Sequence, residues 1–580
     1  MRQVLPLWPP TAIVQPACAP RCTLLILSPR SRELPQITAQ HPLLRPLSLA
    51  SAPRHLTPRP SGCKPLERLI WSLAMCGILG IASRNEQVFA ELYDGLLMLQ
   101  HRGQDASGIV TYGDGFFRER KANGLVKDVF GAKDAETLQG RVGMGHVRYP
   151  TAGSLSAAEA QPFFVNAPYG IYLVHNGNIT NTEEQRAKVT GKYSRHLRTT
   201  SDSEILLNVL ADKVADAIKV NGNADPIRNI FAGVKMTMER VQGAYSVICL
   251  IAGVGMLAFR DPHGIRPLSV AQREAEGEGN DYAFASEDVA FGINGFEKLR
   301  DLKPGEAILV DLDGNKHEFQ AVEGKLTPCI FEYVYLARPD SLLDGISVYK
   351  TQIRMGQTLA KQIEASGLDI DAIIPVPDSA RPVALEVSNI TGIRYREALV
   401  KNRYVGRTFI MPGQEERQKS VRRKLNAIPR EMQDRNILLI DDSIVRGNTI
   451  KKIVQMCREA GAKKVYIASA SPPVKYPNVY GIDMPTKHEL VANGRSIEEI
   501  REELGADELF YQNLEDLIWA AKGGNPDIEA FDCSCFDGEY VTGSVSEDYL
   551  NTLETSTRVT KKIKDMPDAG ASWNGATLAT

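Results

Sequence analysis

Two places in this 580-residue chain carry residues whose types and order could do chemistry. The first is Met75-Cys76-Gly-Ile-Leu-Gly-Ile, because initiator methionine is normally removed before a small residue, which would leave Cys76 as a free N-terminus. A terminal cysteine supplies a thiol nucleophile and, on the same residue, an α-amine with a pKa of about 8 that serves as a base near neutral pH. Any chain left in front acylates that amine and removes the base. Taken alone, a cysteine opening an apolar run is an ordinary buried strand residue, so the pairing needs support from other positions. The second place is Ile437-Leu-Leu-Ile-Asp-Asp-Ser-Ile-Val-Arg-Gly-Asn-Thr449, an apolar run that ends in two acids and a small glycine-containing loop. Backbone N–H groups of Ser443, Ile444, Val445, Arg446, Gly447, Asn448 and Thr449, with the N-terminus of a following helix, can surround a phosphate dianion. Asp441 and Asp442 repel a phosphate and suit ribose hydroxyls or, indirectly, a divalent cation.

The segments that must position these residues differ in pattern. From Cys76 to about Val310, short β-rich runs such as Gly77–Ala82, Ile171–His175 and Ala244–Ile251 are separated by helical stretches, Phe89–Leu99 and Asp202–Val220 among them. This predicts an α+β unit over 76–310 with mainly antiparallel strands. After Cys329, buried apolar runs Ala372–Val376, Ile437–Ile440 and Val465–Ser469 alternate with helices such as Thr449–Ala460. That alternation predicts an α/β unit over 328–545 with a parallel sheet, and puts the two acids at the carboxyl end of a strand, where such sheets bind ligands.

The first 74 residues are rich in Pro, Leu, Arg and Ser, with Glu33 and Glu67 as their only acids. Residues 1–75 therefore read as a disordered extension, either a start placed upstream of the true initiator Met75 or a propeptide. Their basic, acid-poor composition is that of an organelle import signal, but their prolines spoil its amphipathic helix, so a cytoplasmic protein is expected, with import by residues 1–75 as the lesser alternative. Residues 546–580 read as a polar tail. Lys and Arg total 68 against 70 for Asp and Glu, a net charge of −2 that gives no chain-wide attraction to nucleic acid. No apolar run reaches the roughly 18 residues of a membrane span. Nine cysteines are too few and too scattered for a disulfide scaffold.

Five segments in order, Cys76-Gly-Ile-Leu-Gly-Ile, Leu99-Gln-His-Arg-Gly-Gln-Asp-Ala-Ser-Gly, Gly145-His-Val-Arg-Tyr-Pro-Thr, Val174-His-Asn-Gly-Asn-Ile and Thr200-Ser-Asp-Ser-Glu, resemble the class II glutaminase domain of N-terminal-nucleophile amidotransferases, with its αββα fold. The resemblance implies an oxyanion hole made by the Asn176 side chain and the Gly177 N–H, Arg148 on the α-carboxylate of glutamine, and Asp202 on its α-ammonium. The types suit those roles, since a tetrahedral oxyanion needs fixed donors and a carboxylate suits a planar guanidinium fork. Each also has a plain structural alternative: Asn176-Gly177 a hairpin turn, Arg148 a surface ion pair, Asp202 a helix N-cap.

The run from Ile437 to Thr449 resembles the fingerprint of type I phosphoribosyltransferases, and the two units together resemble the amidophosphoribosyltransferase family from Cys76 to about Gly543. Phe331-Glu-Tyr-Val-Tyr-Leu-Ala-Arg-Pro-Asp-Ser, Ile374-Pro-Val-Pro-Asp-Ser, Lys401-Asn-Arg-Tyr-Val-Gly-Arg-Thr-Phe-Ile and Ser420-Val-Arg-Arg-Lys-Leu-Asn add to the likeness. It implies that glutamine, phosphoribosyl pyrophosphate and water give 5-phosphoribosylamine, glutamate and pyrophosphate, the first committed step of purine synthesis. It further implies Mg²⁺ on the pyrophosphate, served by Asp441 and Asp442, and inhibition by purine nucleotides at the shared ribose-phosphate site. A loop from Lys401 to Ile410 would close over the substrate, with Tyr404 helping to seal an ammonia channel, in a homo-oligomer. Hexosamine-forming and asparagine-forming amidotransferases share only the first unit. A catalytically silent nucleotide-binding regulator is the alternative if Cys76 is not N-terminal. Some relatives hold an iron–sulfur cluster on four cysteines; here only Cys329 and Cys535 match, Asn478 and Asp532 stand at the other positions, and Cys533-Ser-Cys535 replaces C-x-x-C, so no cluster is expected. Ala380 replaces a hydroxyl, which leaves a contribution of Ser379 to the metal open.

Overall fold

The computed structural model describes residues 75–149, 157–192, 194–275, 277, 279–402, 425–484 and 486–554. The extension before Met75 and the tail beyond residue 554 lie outside them.

The first unit contains thirteen strands: β1 (Gly77–Ala82), β2 (Ala106–Gly113), β3 (Phe116–Asn123), β4 (Val142–Arg148), β5 (Phe163–Val165), β6 (Ile171–Ile179), β7 (Gly243–Ile251), β8 (Gly255–Arg260), β9 (Ser269–Glu274), β10 (Asn280–Ala285), β11 (Glu297–Asp301), β12 (Glu306–Asp311) and β13 (Lys316–Gln320). They form two antiparallel sheets, ordered β11-β9-β10-β1-β4-β2-β3 and β13-β12-β8-β7-β6-β5. Strands β1, β2, β4, β7 and β8 are buried along almost their whole length. An apolar cluster including Ile78, Val110, Met144, Ile248 and Met256 draws on both sheets, so they pack face to face. The outer face of the first sheet buries Leu92 and Leu96 of the helix Phe89–Met98. The outer face of the second buries Ile205, Val209 and Ile230 from the helices Asp202–Asn221 and Pro226–Met238. Helix, sheet, sheet, helix is the αββα arrangement.

After two short strands, β14 (Leu342–Leu343) and β15 (Ile346–Ser347), comes the second unit's sheet: β16 (Ala372–Pro375), then β19 (Asn436–Asp441), β20 (Lys464–Ser469) and β21 (Glu508–Tyr511), paired in parallel in that order. The small antiparallel pair β17 (Leu399–Lys401) and β18 (Leu425–Ala427) lies between β16 and β19 in the chain. Helices cover both faces, as fully buried parallel strands require: Val348–Ala365 and Arg381–Thr391 on one side, Asn448–Glu459 and Ile497–Leu504 on the other. The core on the first side also takes in Met75, Ala244 and Ile265, so this apolar cluster reaches across into the first unit.

The polar tail starts later than composition suggests. Residues 547–554 are helical, with Tyr549 and Leu550 packed on that same cluster. Two apolar side chains one step apart are too faint a signal to mark a docked helix in a polar stretch. No helix among the described residues is long and apolar enough to cross a membrane.

Candidate active site

Strand β1 is interior to its sheet, paired with β10 and β4, and Cys76 precedes it by one residue. The Cys76 S–H donates to the Tyr149 carbonyl at 3.5 Å, and the Cys76 carbonyl accepts from Arg102 Nε at 3.0 Å. Burial pushes the thiol up to about 11, against the hydrogen bond to Tyr149 and the charge of Arg148, which pull it down. Such a thiol stays protonated at neutral pH, so it needs a base to become a nucleophile. With Met75 attached the Cys76 nitrogen is an amide and cannot serve. Met75 is itself buried, its thioether against the Arg266 guanidinium.

Asn176 and Gly177 lie inside β6, so the hairpin-turn alternative does not hold. Asn176 is fully buried, and its Nδ2 donates at 3.5 Å to Ser286 Oγ, which also accepts from the N–H of Ile78 at 3.1 Å. Gly177 sits opposite Tyr245 of β7. Tyr245 directs both its backbone groups to Asp261, donating to Oδ2 at 3.2 Å and accepting from its N–H at 2.8 Å. Gly177 therefore occupies a non-hydrogen-bonded pair and turns its N–H away from β7. Its neighbours two residues away confirm the alternation: the His175 N–H goes to Gln161 Oε1 at 2.7 Å and the Ile179 N–H to Asp202 Oδ2 at 3.2 Å. A Cβ at residue 177, where φ is +146°, would fall 2.0 Å from the Ala244 carbonyl oxygen, so only glycine fits.

Arg148, the last residue of β4, is buried rather than a surface cation, and its Nη2 meets Glu159 Oε2 at 2.8 Å. The other Glu159 oxygen accepts from Thr200 Oγ1 at 2.8 Å. Asp202 is the first residue of its helix; Ser201 is the cap, accepting from the Ser203 N–H. The charges of Arg148, Asp202 and Arg102 all act on the Cys76 thiol, which puts Cys76, β4, the helix start and the Arg102 turn around one centre.

Arg102 was not among the residues singled out by sequence, yet it ties that centre to the second unit. Its Nη2 and Nη1 meet Glu332 at 2.9 and 3.1 Å, and Arg266 reaches the same carboxylate at 3.4 Å. Nearby, Arg260 makes a two-point ion pair with Asp344 at 2.7 and 2.9 Å. Glu332 opens a helical turn, Glu332–Leu336, that carries Tyr335. Burial raises the Tyr335 hydroxyl, and the charges of Asp442, Asp441 and Tyr149 push the same way. Tyr335 thus lies near the two acids of the second site.

In the second site, β19 ends at Asp441, and Asp441 and Asp442 are both buried. Burial raises both carboxyls, and the charge of Asp442 raises Asp441 further. Asp442 accepts from Ser443 Oγ at 2.7 Å and from Ser379 Oγ, while its own N–H goes to Asp441 Oδ1 at 3.0 Å. Ser379 is thereby placed beside the acids. Residues Ser443 to Gly447 form the connecting loop; Gly447, at φ +75°, turns it into the helix Asn448–Glu459, whose first two residues are Asn448 and Thr449. Ile444 is buried beneath the loop, the Val445 carbonyl accepts from the Val491 N–H at 2.9 Å, and Arg446 faces Glu489 at 3.8 Å. Lys401 closes β17 and reaches Asp378 Oδ2 at 3.2 Å. Tyr404, most of the Lys401–Ile410 loop and Ser420 to Lys424 lie outside the described residues.

The positions that relatives use for a cluster hold a different donor set. Asn478 Oδ1 accepts from the N–H groups of Tyr480 and Ile482 at 2.8 and 3.3 Å, and Asp532 Oδ1 accepts from the Ser534 N–H at 3.2 Å. An amide oxygen already committed to two backbone donors is a poor replacement for a thiolate, so an iron–sulfur cluster does not fit these residues.

Comparison with known proteins agrees with this two-site layout. A family model described as a glutamine amidotransferase domain matches residues 146–292. The amidophosphoribosyltransferase of Pseudomonas aeruginosa is 54% identical over 493 residues, 84% of this chain and 97% of its own. That of Escherichia coli is 54% identical over 485 residues, 83% of this chain and 95% of its own. The solved structure of the glutamine phosphoribosylpyrophosphate amidotransferase of B. subtilis, complexed with ADP and GMP, is similar with a TM-score of 0.70 at 35% identity, over 80% of this chain and 97% of that one.

Proposed function

Because the chain belongs to the amidophosphoribosyltransferase family, we propose that its two sites run as consecutive halves of one reaction. The enzyme forms 5-phosphoribosylamine from glutamine and phosphoribosyl pyrophosphate. In the first half the Cys76 thiol, freed of Met75 and deprotonated by its own α-amine, attacks the glutamine amide carbon. Asn176 Nδ2 and the Gly177 N–H stabilise the oxyanion, while Arg148 and Asp202 hold the two ends of the amino acid. Ammonia leaves, and water hydrolyses the thioester to glutamate. In the second half ammonia attacks C1 of the ribose as pyrophosphate departs. The Ser443–Thr449 loop holds the 5-phosphate and the two acids hold the ribose hydroxyls. The buried pair Asp441 and Asp442, each raised by burial, would serve a Mg²⁺ ion arriving with the pyrophosphate, which would supply charge neutralisation for the leaving group. A cytoplasmic homo-oligomer that binds no nucleic acid follows from the same family reasoning.

The observation that supports this coupling is Arg102, whose Nε donates to the Cys76 carbonyl at 3.0 Å while its Nη1 and Nη2 hold Glu332, the first residue of the turn that bears Tyr335. Glutamine is wasted when ammonia has no acceptor, so occupancy of the second site should control the first. Initial-rate assays are expected to show glutaminase turnover stimulated by phosphoribosyl pyrophosphate. They should also show inhibition by AMP or GMP that weakens as that substrate rises, because a nucleoside monophosphate presents the same 5′-phosphate and ribose diol. Glutaminase turnover indifferent to phosphoribosyl pyrophosphate would break the coupling.

The purified protein is also expected to be colourless and free of iron. Broad visible absorption with stoichiometric iron would mean that Cys329, Cys533 and Cys535 bind a cluster by some other ligand set.

A further inference from the structure

The oxyanion-hole strand is braced from outside its own domain. A Cβ built on Gly481, where φ is +104°, would lie 2.7 Å from the Gly177 carbonyl carbon and 2.8 Å from its Cα and its oxygen. Those are backbone atoms of the residue whose N–H serves the oxyanion, and they have no room to retreat, because Gly177 is already pressed against Ala244 on the β7 side. The next residue, Asn178, donates from Nδ2 to the Val479 carbonyl at 2.8 Å. Asn478 folds the turn that makes both contacts, since its side-chain oxygen gathers the N–H groups of Tyr480 and Ile482. The Tyr480 hydroxyl anchors the turn to Thr542, at 3.1 Å to its N–H and 2.9 Å to its Oγ1. Further along the same segment, Val491 bonds to Val445 in the phosphate-binding loop.

We propose that the Asn478–Ile482 turn is a positioning element for glutamine hydrolysis, holding Gly177 in place through Gly481 and Asn178. This rests on Gly177 being an oxyanion donor. Asn478, Gly481 and Asn178 touch neither substrate; they act through the strand.

A misplaced oxyanion donor weakens transition-state binding without weakening substrate binding, and removing one donor outright lowers turnover by roughly 10² to 10³. Gly481→Ala is therefore expected to lower glutaminase kcat by about 10- to 100-fold, with KM for glutamine changed by less than about threefold and ammonia-dependent synthesis within about twofold of the parent. Asn478→Ala should move the same parameter in the same direction. Asn478→Asp keeps the acceptor oxygen and should restore most of the kcat, which simple loosening of the fold would not permit. Unchanged glutaminase kcat in Gly481→Ala, or equal loss of glutaminase and ammonia-dependent synthesis in all three variants, would overturn the proposal. If Gly481→Ala does not fold, the Asn478 pair carries the test alone. A parent protein without glutaminase activity would instead defeat the functional reading on which the proposal stands.

Discussion

Cys76→Ala is expected to abolish phosphoribosylamine formation from glutamine, by about four orders of magnitude or more, while formation from ammonia continues. In the proposed mechanism the sulfur is the nucleophile of the first half-reaction, and the second half takes place in another unit of the chain. The substitution removes one long hydrogen bond, to the Tyr149 carbonyl at 3.5 Å, and leaves the Arg102 contact to the Cys76 carbonyl in place, so the surrounding structure should persist. Parallel assays with glutamine and with ammonium salt, at a pH that supplies free ammonia, decide the matter. Loss of both activities would mean that the half-reactions are not separable.

Asp441→Asn combined with Asp442→Asn should remove synthesis with either nitrogen source, because in the proposed mechanism the ribose grip of this pair serves both. Retained ammonia-dependent synthesis would contradict the assignment. The same variant should be more heat-stable than its parent at neutral pH in the absence of ligands. Burial raises both carboxyls in the fold above their ordinary value of about 3.9. An acid raised in this way binds more protons folded than unfolded between the two values, so its contribution to stability is lost as pH rises through that window and stays lost above it. An uncharged amide escapes that loss. Thermal melts at neutral pH that place the variant below its parent would show that the hydrogen bonds from Ser379 and Ser443 outweigh the charge burial.

What was legible in the sequence is what depends on neighbours in the chain. The Ile437–Thr449 run announces strand, acids, loop and helix because all four are contiguous, and they form as expected, with β19 ending at Asp441 and the helix starting at Asn448. The alternating pattern from Cys76 onward likewise discloses an antiparallel unit. Residues whose importance comes only from folding were not legible. Arg102 and Glu332 each stand in a segment that carries the family likeness, but they are 230 positions apart and nothing near either predicts that they pair. Glu159, which neutralises Arg148, and Gln161, which holds the His175 backbone, sit in an unremarkable stretch. Gly481 reads as one glycine in a loop, and its role appears only when Gly177, 304 positions earlier, is seen against it. For Asp202 the plain structural alternative was one residue off: the N-cap is Ser201, and Asp202 is the first residue of the helix.

The largest wholly buried side chains in the described structure are Arg102, Arg260 and Arg266, and all three pair with carboxylates of the second unit, Glu332 or Asp344, Arg102 holding Glu287 of the first unit as well. A hinge at this boundary would have to part these charges inside an apolar core. A buried ion left without its partner costs about 3 to 5 kcal/mol. Swinging the units apart to admit substrates would therefore be steeply uphill, and the pair moves as one block. Admission of glutamine and phosphoribosyl pyrophosphate then falls to loops at the margins, and the two units lose their structure together rather than one after the other.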